Sequence, residues 1–234
     1  VDKSVEKVDK PFFSRPFAKP EPVLAVFAKQ PLAGKVKTRL CPPLSETEAA
    51  RVYQVSLAET ISTLWECPLR MVLFYAGERA WFEQAFPEVL LVPQTKGGLG
   101  VRLQAAADQL FAAGSGPVLF IGSDSPDLPC ALVTTTVDRL QQFDVVTVPC
   151  LDGGYALVGM NRPFPEIFED IPWSTAEVLA TTRRQAERAG LAYHELDPWD
   201  DLDDLASLRR LAERSPVSAT ARYVQARLAR YLKG

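Results

Sequence analysis

The feature that most constrains the fold is a regular alternation of short apolar runs with longer amphipathic stretches. "PVLAVFAK", "LRMVLFYA", "VLLVPQ", "GPVLFIGSD" and "DVVTVP" are brief, apolar and bounded by turn residues, so they read as buried strands. Between them lie segments whose apolar residues recur at spacings of three and four. In "SETEAARVYQVSLAETISTLWE", Ala49, Ala50, Tyr53, Leu57, Ile61 and Leu64 share one face, Ser45 and Glu48 form a capping box, and Cys67-Pro68 ends the helix. "ERAWFEQAF", "TKGGLGVRLQAAADQLFAAG" and "PCALVTTTVDRLQQF" supply further helices. Strands alternating with helices predict an α/β fold: an open, mostly parallel, Rossmann-like sheet with helices on both faces. "GPVLFIGSD" is apolar throughout and is predicted to be central in that sheet.

The alternation breaks after "DVVTVP", where "DGGYALVGM" is a glycine turn and a strand with no helix before it. This strand is predicted to join the sheet in a different sense or to begin a small antiparallel patch. There follow a helix, "STAEVLATTRRQAERAG", with a capping box from Ser174 and Glu177, then a strand, "LAYHELD", and two closing helices. Residues 21–234 read as one domain and residues 1–20 as a loosely ordered tail. The 47% hydrophobic content supports a sizeable core, and the net charge of -3 argues against a nucleic-acid partner. The apolar runs are too short to span a bilayer. The Lys- and Pro-rich start lacks the apolar core of a signal peptide. Cys41, Cys67, Cys130 and Cys150 form no C-x-x-C pair. The expectation is a cytoplasmic protein with reduced thiols.

Ligands of open α/β sheets sit outside the carboxyl ends of the strands. The loop after the first strand, "KQPLAGKVKTRL", gathers Lys29, Lys35, Lys37 and Arg39 around Gly34 in an otherwise acidic chain. It is neither a Walker A loop nor a G-x-G-x-x-G fingerprint, but its cations suit phosphate oxygens, and the guanidinium of Arg39 can grip them in bidentate fashion. The Gly-rich loop after the third strand adds Gly98 and Gly100 to this expected nucleotide- and phosphate-binding set of Lys29, Gly34, Lys37 and Arg39. In "GSDSPDLP", Asp124 and Asp127 can share one Mg²⁺ or Mn²⁺, and either can cap the next helix; the metal is favoured for Asp124 and the cap for Asp127. "DGGY" offers Asp152 and Tyr155 as hydrogen-bonding groups beside Gly153 and Gly154, or a plain turn. "DPWDDLDDLASL" is mostly solvated charge at a helix start, with Asp200 as the metal candidate. The one histidine, His194, reads as structural, since no nucleophile motif accompanies it.

Taken as a set, "FAKQPLAGKVKTRL", "GSDSPDL", "DGGYALVG", "IPWSTAEVL" and "DDLDDLASL" resemble a bacterial family of small glycosyltransferase-like proteins, DUF2064, also called the radical-SAM/selenodomain-associated transferases. The resemblance runs from about residue 22 to 212. It implies the nucleotide-diphospho-sugar transferase (GT-A) fold and a nucleotide-sugar or nucleotide site with a divalent cation. Carried over, Lys29, Lys37 and Arg39 hold phosphates and Asp124 takes the metal position. Asp152, Gly153, Gly154 and Tyr155 line the sugar or acceptor pocket, with Asp152 as base or acceptor-orienting carboxylate. The family's late D-x-D-T-P-E-D-L motif fits best with Asp200 at its second Asp; Asp201 then replaces Thr and Leu202 replaces Pro. The implied activity is glycosyl transfer to a small-molecule acceptor. The alternatives are nucleotidyl transfer from a nucleoside triphosphate to a phosphorylated small molecule, and a non-catalytic nucleotide-binding partner protein.

Overall fold

The computed structural model describes residues 19–232; the expected tail therefore lies, for residues 1–18, outside the described residues. The chain runs β1 (Val23–Lys29), a 3₁₀ turn (Thr38–Leu40), α1 (Glu46–Trp65), β2 (Arg70–Ala76), α2 (Arg79–Ala85), β3 (Leu90–Pro93), α3 (Leu99–Ala112), β4 (Val118–Gly122), α4 (Cys130–Arg139), β5 (Val145–Pro149) and β6 (Tyr155–Met160). A second 3₁₀ turn (Pro165–Phe168), α5 (Val178–Arg188), β7 (Tyr193–Glu195), α6 (Leu205–Arg214) and α7 (Ala219–Leu232) complete it. One seven-stranded sheet has the order β3-β2-β1-β4-β6-β5-β7. The apolar fourth strand is its middle member, as its composition predicts. Only β6 runs against its neighbours, pairing antiparallel with β4 and β5. The two-sense reading of "DGGYALVGM" follows from its tight turn: a strand that returns at once cannot be parallel to the one it leaves.

Strand parity builds the layers. Leu24, Val26 and Ala28 of β1 face Tyr53, Leu57 and Ile61 of α1, with Val133 of α4 in the same cluster. Val23 and Ala25 face the other way, onto Leu103, Ala106 and Leu110 of α3 and Ala186 of α5. Each fully buried leucine contributes about 2 kcal/mol of apolar burial. A third cluster joins Leu40 and Leu44 with Leu202, Leu208, Leu211 and Val224, seating α6 and α7 against the start of α1.

Three local expectations are corrected. The Ser45–Glu48 capping box forms, but the Ser174–Glu177 one does not. Ser174 has φ 68°, and its carbonyl accepts a hydrogen bond from Arg39, so the chain cannot enter a helix there and α5 starts at Val178. Asp127 does not cap α4. Pro129 stands at that position, while Asp127 is bound by Arg214 and the Ser215 hydroxyl. Cys67 and Cys130 are disulfide-bonded, with Cα atoms 5.6 Å apart, rather than free; Cys41 and Cys150 are the free thiols. The end of α1 and the start of α4 bring that pair together across 63 residues, a proximity that cysteine spacing does not encode.

Candidate functional site

A cleft of about 760 Å³ opens at the carboxyl ends of β1, β3, β4 and β5. One part of its wall is cationic, with Lys29, Lys35, Lys37 and Arg39 from the loop after β1 and Arg102 from α3. Another part is acidic, with Asp124 after β4, Asp152 after β5, and Asp201 and Asp203 from the segment before α6. β6 runs the opposite way and meets this edge with its amino end, directly after the turn that carries Asp152.

The loop after β1 is shaped by two left-handed residues, Gly34 (φ 71°) and Lys37 (φ 47°). The turn at Lys37 sends its side chain inward until 6% remains exposed, and Nζ reaches Asp124 Oδ2 at 2.7 Å and Asp203 Oδ1 at 3.9 Å. Burial alone lowers the pKa of such an ammonium. Asp124 foremost, then Asp203 and Asp201, outweigh that and hold Lys37 above the usual lysine value, charged at every physiological pH. Arg39 is more open, 53% exposed, and bridges the cleft mouth by binding the Asp203 carboxylate and donating to Ser174 O at 3.1 Å. Beneath the loop, the backbone N–H of Lys29 donates to the Tyr53 hydroxyl at 3.0 Å, and that hydroxyl shares a hydrogen bond with Ser123 Oγ at 2.7 Å. The ends of β1 and β4 are thereby fixed to one point on α1.

On the acidic side, a Cβ at Gly122 would lie 2.5 Å from Asp124 Oδ1, so glycine is what lets that carboxylate fold back over the strand end. The Leu202 N–H donates to Asp124 O at 2.9 Å and draws the 200–203 segment to the site. One ligand atom each from Cys150, Asp152 and Asp201 lies within 4.8 Å of the others. Burial, then the nearby charges of Asp124, Asp152 and Asp203, push the Asp201 carboxyl up to about 7, with Lys37 opposing. Burial, then the charges of Asp201, Asp152 and Asp124, raise the Cys150 thiol far above its ordinary value, so it stays protonated. The donors suited to a cation here are therefore carboxylate oxygens, the ligands of Mg²⁺ and Mn²⁺.

Of the residues expected from the sequence, Lys29, Lys37, Arg39, Gly98, Asp124 and Asp152 line this cleft. Asp200 does not. Its oxygens accept from Arg210 at 2.7 and 3.0 Å and from Arg214 at 3.4 Å, and it is buried beneath the cleft wall. Gly34 sets the turn, with Glu46 packed where a side chain would go, while Gly100 lies under the Phe168 carbonyl and the Trp173 ring. Gly153 (φ 88°) and Gly154 form the turn below Asp152, whose Oδ1 accepts from Gly154 N at 2.9 Å. Tyr155 turns its ring toward Trp173, edge to face, and its hydroxyl is buried. His194 stacks on Phe143 at 4.5 Å, in β7 at the far edge of the sheet.

The residues the sequence did not single out are Asp201, Asp203, Arg102, Tyr53 and Ser123. For the aspartates a signal exists. Burial alternates along the segment, with Asp200 and Leu202 inside and Asp201 and Asp203 half-exposed. One leucine read as an inward anchor sorts its neighbours by parity. Tyr53 carries no such signal, because its helical spacing places it in the core and says nothing of its hydroxyl.

Residues 58–175 match the family described as uncharacterized protein conserved in bacteria (DUF2064). Among solved structures, a Desulfovibrio desulfuricans G20 protein, provisionally assigned as a nucleotide-diphospho-sugar transferase, is 30% identical with a TM-score of 0.82, over 91% of this chain and 98% of that one. The CMP:2-keto-3-deoxy-manno-octonic acid synthetase complexed with CTP shares the fold at 10% identity and a TM-score of 0.56, over 84% and 98% of the two chains. Rv0371c from Mycobacterium tuberculosis H37Rv, in complex with manganese, does so at 17% and 0.53, over 83% and 99%. No protein of curated function matches the sequence. The fold is thus that of the nucleotide-diphospho-sugar transferases, and no helix of the described residues is long and apolar enough to cross a membrane. With half of its length matched directly and nearly all of it alignable to a solved relative, the chain belongs to the DUF2064 family.

Proposed function

We propose that this protein is a divalent-metal-dependent glycosyltransferase that moves a sugar from a nucleotide-diphospho-sugar to a small-molecule acceptor. The observation that carries the reading is the meeting, in one cleft, of a cationic loop after β1 with carboxylates delivered separately by β4, β5 and the 201–203 segment. Asp152 and Asp201 fit a hard cation: their oxygens converge, the adjacent thiol is protonated, and the raised Asp201 carboxyl marks negative charge that a cation or a proton relieves, with Asp124 lining the same cleft. Mg²⁺ or Mn²⁺ held there supplies positive charge to the departing nucleoside diphosphate. Lys29, Lys35 and Arg39 add side-chain cations along the diphosphate, placed before reaction begins and so costing little reorganisation. Asp152, exposed at its turn, is positioned to orient an acceptor hydroxyl and take its proton. The Desulfovibrio relative's assignment and the manganese in Rv0371c support the same reading.

The CTP-bound synthetase, which shares the fold, is the reason to keep nucleotidyl transfer as the second reading. Product analysis separates the two. With Mn²⁺, a nucleotide-diphospho-sugar and acceptor, release of nucleoside diphosphate is expected, lost in Asp124→Asn, which keeps the shape and removes the charge. Pyrophosphate released from a nucleoside triphosphate, and abolished by the same substitution, overturns glycosyl transfer in favour of nucleotidyl transfer. Nucleotide binding with neither product promotes the non-catalytic reading.

A further inference from the structure

Among the described residues, one set of histidine, cysteine and acidic side chains converges closely enough to share an ion, and it includes a thiol. One ligand atom each of Cys150, Asp152 and Asp201 lies within 4.8 Å of the other two. Asp124 is outside this set, and its Oδ2 is held by Lys37 at 2.7 Å.

Backbone pairing fixes all three members. The Cys150 N–H donates to Gly154 O at 3.0 Å and the Gly153 N–H to Cys150 O at 3.2 Å, closing the turn between β5 and β6. The Gly154 N–H donates to Asp152 Oδ1 at 2.9 Å. Asp201 is pinned on both sides, because the Trp199 N–H donates to Pro149 O at 2.8 Å and the Leu202 N–H to Asp124 O at 2.9 Å. Asp152 and Asp201 line the cleft, and Cys150, a free thiol 6% exposed, lies behind them. An ion entering from the cleft passes the carboxylates and meets the sulfur last.

Such a donor set separates soft ions from hard ones. Mg²⁺ and Mn²⁺ take oxygen ligands and leave a thiol its proton. Zn²⁺ favours thiolate and accepts carboxylate oxygen beside it, and three protein ligands with one open position make an accessible zinc site. Zinc lies about 2.0–2.3 Å from such donors, which places them about 3.5 Å apart. Small rotations of the two carboxylates close the set to that spacing.

We infer that Cys150, Asp152 and Asp201 form a binding site for a thiophilic divalent cation such as Zn²⁺, and that this ion displaces Mn²⁺ from the cleft. As it binds, the Cys150 S–H bond breaks, the proton passes to solvent and the sulfur gives its electron pair to the ion; nothing is oxidised or reduced. The displacement rests on the metal-dependent reading above, because it needs a Mn²⁺ site that shares Asp152 and Asp201. The zinc site itself does not. The cleft is thereby regulated by which divalent ion reaches it.

The test titrates the full chain with Co²⁺, a spectroscopic stand-in for Zn²⁺, with no added thiol, for wild type, Cys41→Ser, Cys150→Ser and Asp152→Asn. Wild type and Cys41→Ser, which removes the other free thiol, should give a near-ultraviolet sulfur-to-cobalt charge-transfer band that Zn²⁺ abolishes. Cys150→Ser should give none. Asp152→Asn, at an exposed position, should keep the band but need about tenfold more Co²⁺ to reach it. The electron paramagnetic resonance signal of free Mn²⁺ then follows displacement. Stoichiometric Zn²⁺ should release bound Mn²⁺ from wild type, whereas Cys150→Ser should need about tenfold more. No band in wild type overturns the inference. So does a band that survives Cys150→Ser, or one whose cobalt dependence Asp152→Asn leaves unchanged. Zinc that fails to release bound Mn²⁺ overturns the displacement. If Mn²⁺ does not bind at all, the metal-dependent reading fails, and the cobalt band still decides the thiophilic site. Melting curves check that each variant is folded.

Discussion

Asp201 is the residue whose surroundings say most about the cleft. Burial and three neighbouring aspartates raise its carboxyl from 3.8 to about 7. Between roughly pH 4 and 7 the folded state therefore holds a proton that the unfolded state has lost, and stability falls as pH rises through that window. Asp201→Asn should stabilise the metal-free protein at pH 8 by on the order of 2 kcal/mol and change little near pH 4, as read by urea melts at the two pH values. Equal effects at both would mean that no such strain exists. Manganese should reverse the trend, because a cation stabilises the charged form. Arg39→Ala should weaken nucleoside diphosphate binding by about 1.5–3 kcal/mol and leave the fold intact, since its side chain is largely exposed; unchanged affinity would take the loop after β1 out of the phosphate site. At this scale the sequence was informative where chemistry is sparse and ambiguous where it is crowded. One guanidinium and one carboxylate, Arg39 and Asp124, stood out from their loops. Asp200 and Asp201 are adjacent and chemically identical, and a buried leucine beyond them decides which one faces the cleft.

At the scale of elements, local rules succeeded where no distant group competed. The Ser45–Glu48 box forms as read, a cap usually worth about 1 kcal/mol. Ser174 and Glu177 have suitable residue types and spacing, but Arg39 claims the Ser174 carbonyl from 135 residues away. The "DGGY" turn shows the same limit. Asp152-Gly153 is legible as a turn, yet what demands glycine is tertiary: φ is 88°, and a Cβ would sit 2.2 Å from the Ala176 carbonyl oxygen. Gly153→Ala should cost at least about 2 kcal/mol and displace Asp152, lowering turnover in the fraction that remains folded. A variant with wild-type melting and rate would show that the turn yields without consequence. The sheet itself was readable because strand length, apolarity and intervening helices all agreed, and the one antiparallel member was betrayed by its missing helix.

Seen whole, the site is assembled from parts far apart in the chain. The family match at 58–175 holds Asp124 and Asp152 but neither the basic loop nor Asp201. The late segment is anchored by ion pairs in which buried carboxylates meet part-exposed guanidinium groups, Asp127 with Arg214 at 2.8 Å and Asp200 with Arg210 at 2.7 Å, and Glu59 of α1 accepts from the Ala219 and Thr220 N–H groups that open α7. Arg214→Met leaves Asp127 with only the Ser215 hydroxyl and the Trp199 N–H, and Asp200 with Arg210. It should destabilise the protein by about 2 kcal/mol and loosen Mn²⁺ binding without touching the cleft; a variant of normal stability would show that the anchor is dispensable. The cleft also supplies its own counter-ions. Lys37 neutralises Asp124, and Arg39 neutralises Asp203. A lone anion that takes Arg39 orphans an aspartate, and a lone cation that takes Asp124 orphans a lysine. Only a visitor bringing both charges leaves every group matched. Such a cleft acts as a coincidence detector: orthophosphate or sulfate, arriving without a metal, finds its place already taken, while a metal-chelated diphosphate trades partners with the wall.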